Sequence, residues 1–399
     1  MKVLLINVTC RSGSTGKIAY DLYSYLRENG HEASVCYGRG AALDEPYILK
    51  ISSAFEVYFH AFLTRTTGLT SCYSHFATKK LQKIIEQYKP DVVHLHNLHG
   101  YYVNMIAIID FLKTKSIRTI WTLHDENIYT GKCGYSYDCE NWLTQCDNCP
   151  EKKEYPSSLF FDFTKKMFND KKRAFENYNN LTIVSPSEWL ADRVRQSFLK
   201  DKSLCVIPNG IDTDIFKPCD AGALKNKYGI TSKRVIVHVS SVFEEERKGG
   251  RYVIELANLL PDVQFFIVGN KDAIPDLPGN IIAVGRMENQ NELAAYYAMA
   301  DLFLITSKRE NFPTVCLESL CCGTPVVGFT GGGTSETAPD GYGCFVPYGN
   351  VSLLEKAVRD IFSGEIKLKN REECAEFGMN HYDKTVMAKQ YLALYEESC

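Results

Sequence analysis

The stretch that decides the fold is "SKRENFPTVCLESLCCGTPVVGF", Ser307 to Phe329. An apolar run ends just before it, near Thr306, and the run "PVVGF" closes it. Between the two, Pro313 stands where a first helical residue belongs and Gly323 where a C-terminal cap belongs. The spacing predicts a short helix, with Glu318 about one and a half turns in and Glu310 in the loop before it. A helix that starts at the carboxyl end of a strand aims its free N–H groups into the crevice where open α/β sheets bind ligands. One carboxylate then stands beside an anion-binding helix start. The other lies along the helix, within reach of a ribose.

The same alternation runs along the whole chain. Apolar runs such as "VLLINV" from Val3, "DVVHLH" from Asp91, "RTIWTLH" from Arg118 and "LTIVSP" from Leu181 recur in the second half. There they are "RVIVHVSS" from Arg234, "VQFFIVG" from Val263, "IIAVG" from Ile281 and "DLFLITS" from Asp301. Many are apolar on both faces, as buried parallel strands are. Amphipathic stretches separate them, such as "GKIAYDLYSYLREN", which Gly30 ends. Strand–helix alternation of this kind predicts doubly wound α/β sheets. A chain of 399 residues fits two such domains. The expected boundaries are 1–190, 191–380 and a last helix, 381–399, that crosses back to the first domain. The linker is expected near 186–215, around "VIPNGIDTDIFKP", which is rich in loop-forming residues.

Composition narrows the function. The chain is 45% hydrophobic and 23% charged with a formal net charge of -3, which argues against a nucleic-acid binder. No apolar run approaches the ~18 residues that cross a bilayer. The first apolar run is short and ends in Asn7 and Thr9, unlike a signal peptide. The expected setting is cytoplasmic, with peripheral contact at the inner face of the cell membrane left open. Most of the fifteen cysteines sit in apolar runs, as Cys36, Cys205, Cys316, Cys321 and Cys322 do, and read as small buried hydrophobes. Four are different. Cys133, Cys139, Cys146 and Cys149 crowd into "CGYSYDCENWLTQCDNC" within an insertion at about 130–155. They can close a tetrahedral structural zinc site; free thiols and disulfides are the alternatives. "AFEVYFHAFLTRTTGLTSCYSHF", Ala54 to Phe76, reads as a core-facing helix, the alternative being a surface that rests on a membrane.

Near the N-terminus, "TCRSGSTGKIAYDL", Thr9 to Leu22, raises a phosphate-loop question. A nucleoside-triphosphate loop fails, because Arg11 replaces the first glycine and Ile18 replaces the magnesium-binding hydroxyl. A dinucleotide loop fails too, since only Gly13 and Gly16 are present. What remains is a strand-to-helix turn at a helix start: an anion site or a tight turn without a ligand.

Glu310 and Glu318, set between "ADLFLITS" and "LESLCCGTPVVGF" and followed by "GGGTSE", resemble the paired glutamates of the retaining nucleotide-sugar glycosyltransferases of family 4. The pieces "VIPNGIDTDIF", "ERKGG", "FFIVGN" and "DVVHLHNLHG" extend the resemblance over nearly the whole chain. The resemblance implies an α/β chain of GT-B fold: two facing Rossmann-like domains with a cleft between them, the N-terminal one for the acceptor and the C-terminal one for the donor. It implies that Glu310 binds the donor sugar and stabilises its developing positive charge, that Glu318 holds the ribose, and that Lys248 neutralises the leaving diphosphate. Backbone N–H groups near Thr314 and Val315 would hold that diphosphate, and Asn311 and Phe312 belong to the same donor loop. The base would be read near "GRMEN", by backbone at Arg286 or Met287. Gly13 and Gly16 match the glycine-rich first loop of the family, which faces the donor phosphate and the acceptor. His124 matches a histidine close to the reacting centre, while His96, Asn97 and His99 would line the acceptor side; His94 reads equally as core.

One position departs from the pattern. Ser240-Ser241 stands where many relatives carry Gly-Arg, so the second diphosphate cation is missing, leaving Arg247 or Ser241 to substitute. The family transfers with retention by a front-face route and needs no cofactor. The implied partners are a nucleoside-diphosphate sugar and a glycan or lipid-linked acceptor, in bacterial capsule, O-antigen or exopolysaccharide assembly. A non-catalytic relative and a GT-B sugar-nucleotide epimerase are the other readings. A nicotinamide dehydrogenase is disfavoured by the missing G-x-G-x-x-G loop.

Overall fold

The computed structural model describes residues 1–230, 234–270, 274–287 and 289–397. Within them the apolar runs become parallel strands of two separate sheets. The first sheet holds β1 (Lys2–Asn7), β2 (Glu32–Tyr37), β3 (Ile48–Lys50), β4 (Val92–Leu95), β5 (Arg118–Thr122), β6 (Leu181–Ser185) and β7 (Ser203–Val206), in the order β3-β2-β1-β4-β5-β6-β7. The second holds β8 (Val235–Val239), β9 (Gln264–Asn270), β10 (Ile281–Gly285), β11 (Leu302–Ile305), β12 (Val326–Thr330) and β13 (Gly343–Pro347), in the order β10-β9-β8-β11-β12-β13. Every pairing is parallel. This is the GT-B pair of doubly wound sheets. The strand order reverses between β1 and β4 in one sheet and between β8 and β11 in the other. Those switch points open the crevices in which such sheets bind ligands.

Four strands were not among the expected ones. β3, β7 and β13 are edge strands with an incompletely buried face, so no continuous apolar run marks them. β2, "EASVCY", is buried but carries Ala and Ser, and pairing with β1 in register Lys2↔Glu32 to Asn7↔Tyr37 supplies what its propensity lacks.

The chain divides into a first unit, Met1–Pro208 with Ala388–Cys399, and a second, Asn209–Met387. The division falls later than 190/191, because Ser187 caps the helix Glu188–Gln196 through its hydroxyl and β7 follows as the seventh strand of the first sheet. The last helix, Lys384–Glu396, joins the first unit only from Ala388. There it is held by polar clamps. The Tyr395 hydroxyl meets His94 Nδ1 at 2.6 Å and the Tyr391 hydroxyl meets Thr122 Oγ1 at 2.7 Å. Arg118 donates to the last carbonyls of the helix, Leu394 and Tyr395, where the helix dipole favours a cation. Residues 398–399 lie outside the described residues.

The aromatic stretch is oriented opposite to expectation. Helix Ala54–Thr67 turns Val57, His60 and Thr64 inward. Phe55, Tyr58, Phe59 and Phe62, on the other face, are 79%, 75%, 51% and 60% exposed. One polar contact anchors the inner face: His60 Nδ1 meets the Ser74 hydroxyl at 2.7 Å.

Candidate functional site

The second unit's switch point gathers Lys248 and Glu310. β8 runs into Ser240, Ser241 and a short turn ending in Lys248; β11 runs into the loop that carries Glu310. Backbone bonds lock the two segments together. Lys308 N donates to Arg247 O, and Thr306 Oγ1 donates to Lys248 O. Gly249, at φ +68°, lies so close to the Thr306 carbonyl that a Cβ would stand 2.2 Å from it. On the other side the "GGG" turn grips Glu310: Glu310 N donates to Gly331 O, and Gly333 N donates to Glu310 O. Lys248 Nζ then meets Glu310 Oε1 at 2.5 Å. Burial pushes the Glu310 carboxyl up. The Lys248 ammonium, with Arg247 and the Ser307 hydroxyl, more than reverses this and holds it below the usual glutamate value. Glu310 is therefore an ionised carboxylate largely shielded from water.

The short helix forms as Thr314–Cys321. Pro313 is its flanking N-cap residue rather than its first helical one, because its ψ of 119° is extended. No side chain caps this helix start, so the N–H groups of its first turn, including Thr314 and Val315, keep the anion preference of a bare terminus. Gly323, at φ +84°, ends the helix as expected. Glu318 is half-buried, and its Oε2 accepts from the buried Tyr297 hydroxyl at 2.9 Å, which sets its orientation. Asn311 is buried. Phe312 is not a ligand-facing ring: it lies in the core against Tyr382, and Asn209 donates to its carbonyl at 3.0 Å. Ser241 is exposed, and Arg247 pairs with Glu245 at 2.7 Å while lying near enough to Glu310 to act on its charge. Arg286 and Met287 follow β10, exposed and half-buried; Glu288 of the same "GRMEN" stretch lies outside the described residues.

In the first unit, Asn7 organises the other switch point. It ends β1 fully buried, donates to Thr9 O at 2.9 Å and to Thr15 Oγ1 at 3.3 Å, and accepts from Asn97 N at 3.2 Å. One amide thus ties the Gly13–Gly16 turn to the loop after β4. Gly13 has φ +68°, and a Cβ on Gly16 would meet Thr9 Oγ1 at 2.7 Å, so both positions need glycine. Helix Gly13–Glu28 begins there without a side-chain cap.

The histidines separate into roles. His94 is structural, with both ring nitrogens bonded, to Tyr395 and to Thr122. His96 Nδ1 meets His124 Nε2 at 3.0 Å, and the rings stack. Burial lowers both, His124 to about 4, so the pair is neutral and shares one proton. His99 Nε2 pairs with Asp125 Oδ2. Burial pushes the Asp125 carboxyl up, but His99 and the Asn127 N–H outweigh it and keep the carboxylate ionised. His96, Asn97, His99 and His124 line one shallow pocket with Asp125. His96 Nε2 and His99 Nδ1 are buried without a hydrogen-bond partner among the described residues.

Sequence reasoning passed over Asn7, Asn209 and the buried pair that follows His124 in the chain. Glu126, fully buried, is paired with Arg193 at 2.9 Å and accepts from the Ser136 hydroxyl at 2.6 Å. An Asn closing a buried apolar strand was a readable signal. Arg193 was not, since it looks no different in sequence from the exposed Arg195 two positions on.

Cys133, Cys139, Cys146 and Cys149 all border one small cavity. Among the described residues, however, no group of three or more His, Cys, Asp or Glu is placed to hold a metal ion, so the tetrahedral zinc arrangement expected from the spacing is not formed. Burial raises the Cys133 and Cys146 thiols to about 12 and about 11, and Cys146 Sγ accepts the Gly131 N–H at 3.2 Å. The four stand as free thiols in this arrangement.

Two family models match the chain: "Glycosyltransferase Family 4" over residues 15–215 and "Glycosyl transferases group 1" over residues 220–381. Among curated proteins it is 24% identical over 343 residues to the "Putative colanic acid biosynthesis glycosyl transferase WcaC" of Escherichia coli, covering 82% of each. It is 23% identical to the N-acetyl-alpha-D-glucosaminyl L-malate synthase of Bacillus anthracis, over 98% of this chain and 96% of that protein. Among solved structures, the sucrose-phosphate synthase of Thermosynechococcus elongatus superposes with a TM-score of 0.72 at 16% identity, covering 99% of this chain and 98% of that one. Anabaena Alr3699/HepE in complex with UDP-glucose superposes at 0.69 and 16% identity over the full length of both.

Proposed function

This chain belongs to glycosyltransferase family 4, the retaining enzymes of GT-B fold, and on that premise we propose that it moves a sugar from a nucleoside diphosphate to a glycan or lipid-linked acceptor in bacterial surface-polysaccharide assembly. The observation that carries the reading is the Lys248–Glu310 pair beside the uncapped start of helix Thr314–Cys321. A diphosphate at that start would meet the first-turn N–H groups and Lys248. The ionised Glu310 would lie against the sugar, where positive charge grows as the glycosidic bond to phosphate breaks. Glu318, held by Tyr297, would take the ribose, and the backbone at Arg286 or Met287 the base.

On the acceptor side, the His96–His124 pair and the His99–Asp125 pair would orient the acceptor hydroxyl. The leaving phosphate would accept the proton of that hydroxyl, so that attack and departure occur on one face and configuration is retained. A front-face route of this kind uses no carboxylate nucleophile on the sugar. The relative named for colanic acid biosynthesis supports the acceptor class. Nucleotide sugars are cytoplasmic metabolites, so the cytoplasm, up to the inner face of the cell membrane, is the proposed setting.

A thermal-shift panel of UDP, GDP, ADP and their sugars, on wild type and Glu318→Ala, tests the donor site. A ligand that binds only the folded state raises Tm by mass action. One diphosphate stabilising wild type, and stabilising the variant clearly less, is the expected result. Equal stabilisation of both proteins would remove Glu318 from the site. Isomerised donor formed without acceptor would replace transfer by epimerisation.

A further inference from the structure

We infer that the aromatic outer face of the first unit docks on an anionic lipid bilayer. The helix Ala54–Thr67 exposes Phe55, Tyr58, Phe59 and Phe62 in one stripe, and Phe55 stacks on Phe59. Phe76, 84% exposed at the start of the next helix, extends it. An open groove of about 880 Å³ runs between them, lined by Phe55, Phe59, Leu63, Tyr73 and Phe76. The apolar surface continues past the helix end: Leu159 N donates to Arg65 O, and Leu159, Phe160 and Phe161 are 63%, 66% and 56% exposed. A contiguous patch of this kind marks an interaction surface on a water-soluble unit.

Charge selects the occupant. Residues 48–89, which carry most of the patch, hold six Lys or Arg against two Glu, in a chain whose net charge is -3. Lys79, Lys80, Lys83 and Arg65 are exposed, and none of them is in an ion pair among the described residues. Protein interfaces are depleted of lysine, so a protein partner fits this surface poorly. A second copy of the chain would set two positive patches face to face. Phe and Tyr rings ringed by lysines match a bilayer surface, where rings enter the boundary of headgroups and acyl chains and ammonium groups meet anionic lipid. The patch extends well beyond the groove, which is more surface than a single lipid chain would cover. No helix among the described residues is long and apolar enough to cross a membrane; docking is peripheral.

The test is flotation of the full chain with phosphatidylcholine vesicles, with and without a phosphatidylglycerol fraction. Wild type should float with the anionic vesicles and lose binding in high salt. Phe55→Ser/Phe62→Ser should bind at least tenfold more weakly, and Lys79→Glu/Lys83→Glu weaker by about fivefold or more per lysine. Both double variants should keep the wild-type nucleotide-induced thermal shift, which separates loss of docking from misfolding and from any failure of the donor assignment. Wild type that ignores anionic vesicles, or a Phe55→Ser/Phe62→Ser protein that floats as well as wild type, overturns the inference. So does a wild-type dimer in solution that this variant dissociates, which would make the patch a contact between copies.

Discussion

Replacing Lys248 by methionine tests the electrostatics of the donor site directly. At an effective dielectric of about 20, unit charges at the observed 2.5 Å attract by about 6 to 7 kcal/mol. Desolvating both ions cancels most of that. The Lys248 and Glu310 side chains are 24% and 13% exposed, so water screens part of the remainder. A net coupling of about 2 kcal/mol follows, which in a unit of this size moves Tm by about 4–8 °C. The sign with pH is also set. In wild type the Glu310 pKa is depressed, so its stabilisation is present above the unfolded glutamate value and lost as pH falls through the folded one. In Lys248→Met, burial is opposed only by Arg247 and the Ser307 hydroxyl, and the carboxyl rises. The variant then suffers most at about pH 8, where a charge stays buried alone, and recovers at about pH 5, where the carboxyl takes up a proton. The assay is a double-mutant cycle of wild type, Lys248→Met, Glu310→Gln and the double variant, by thermal unfolding at both pH values. A coupling below about 0.5 kcal/mol, or a Lys248→Met deficit that is the same at both pH values, would refute the reasoning.

Three further outcomes follow from other contacts. Gly332→Ala places a methyl 2.2 Å from the Glu310 carbonyl at φ +69°, so it should lose about 1–3 kcal/mol of stability and most transfer activity, read by urea unfolding and product formation; normal activity would mean that the turn does not position Glu310. Arg193→Met leaves the fully buried Glu126 without its cation and should cost the first unit about 3–5 kcal/mol, and a loss below about 1 kcal/mol would show that Ser136 and Tyr129 suffice. Burial lowers His60, His124 and His238 to about 4 and His94 to about 3, so their contribution is complete above about pH 6.5 and drains as pH falls towards 4, by up to about 3 kcal/mol each. Urea midpoints that stay flat between about pH 7 and pH 4.5 would contradict this, since the depressed carboxylates act only below that window.

Much of this protein was legible in one dimension. Apolar runs separated by helix-period stretches specify buried parallel strands, because a strand covered on both faces must be apolar throughout. Pro313 and Gly323 bracket a short helix by backbone geometry alone, and Glu310 and Glu318 take their places from its period. The tertiary structure decided what depends on partners distant in the chain. The edge strands β3, β7 and β13 exist because a neighbour offers hydrogen bonds, not because their sequences demand it. His94 is structural because Tyr395, some three hundred residues on, reaches its ring. Phe312 turns into the core because Asn209 and Tyr382 hold its loop. The four cysteines border one cavity, yet among the described residues no three ligating groups are placed to hold a metal ion, which spacing cannot foresee. Helix Ala54–Thr67 shows the limit most clearly: its aromatic stripe and its His60–Thr64 stripe are both periodic. Periodicity says that a helix has two faces, while only the packing of its neighbours decides which one meets water.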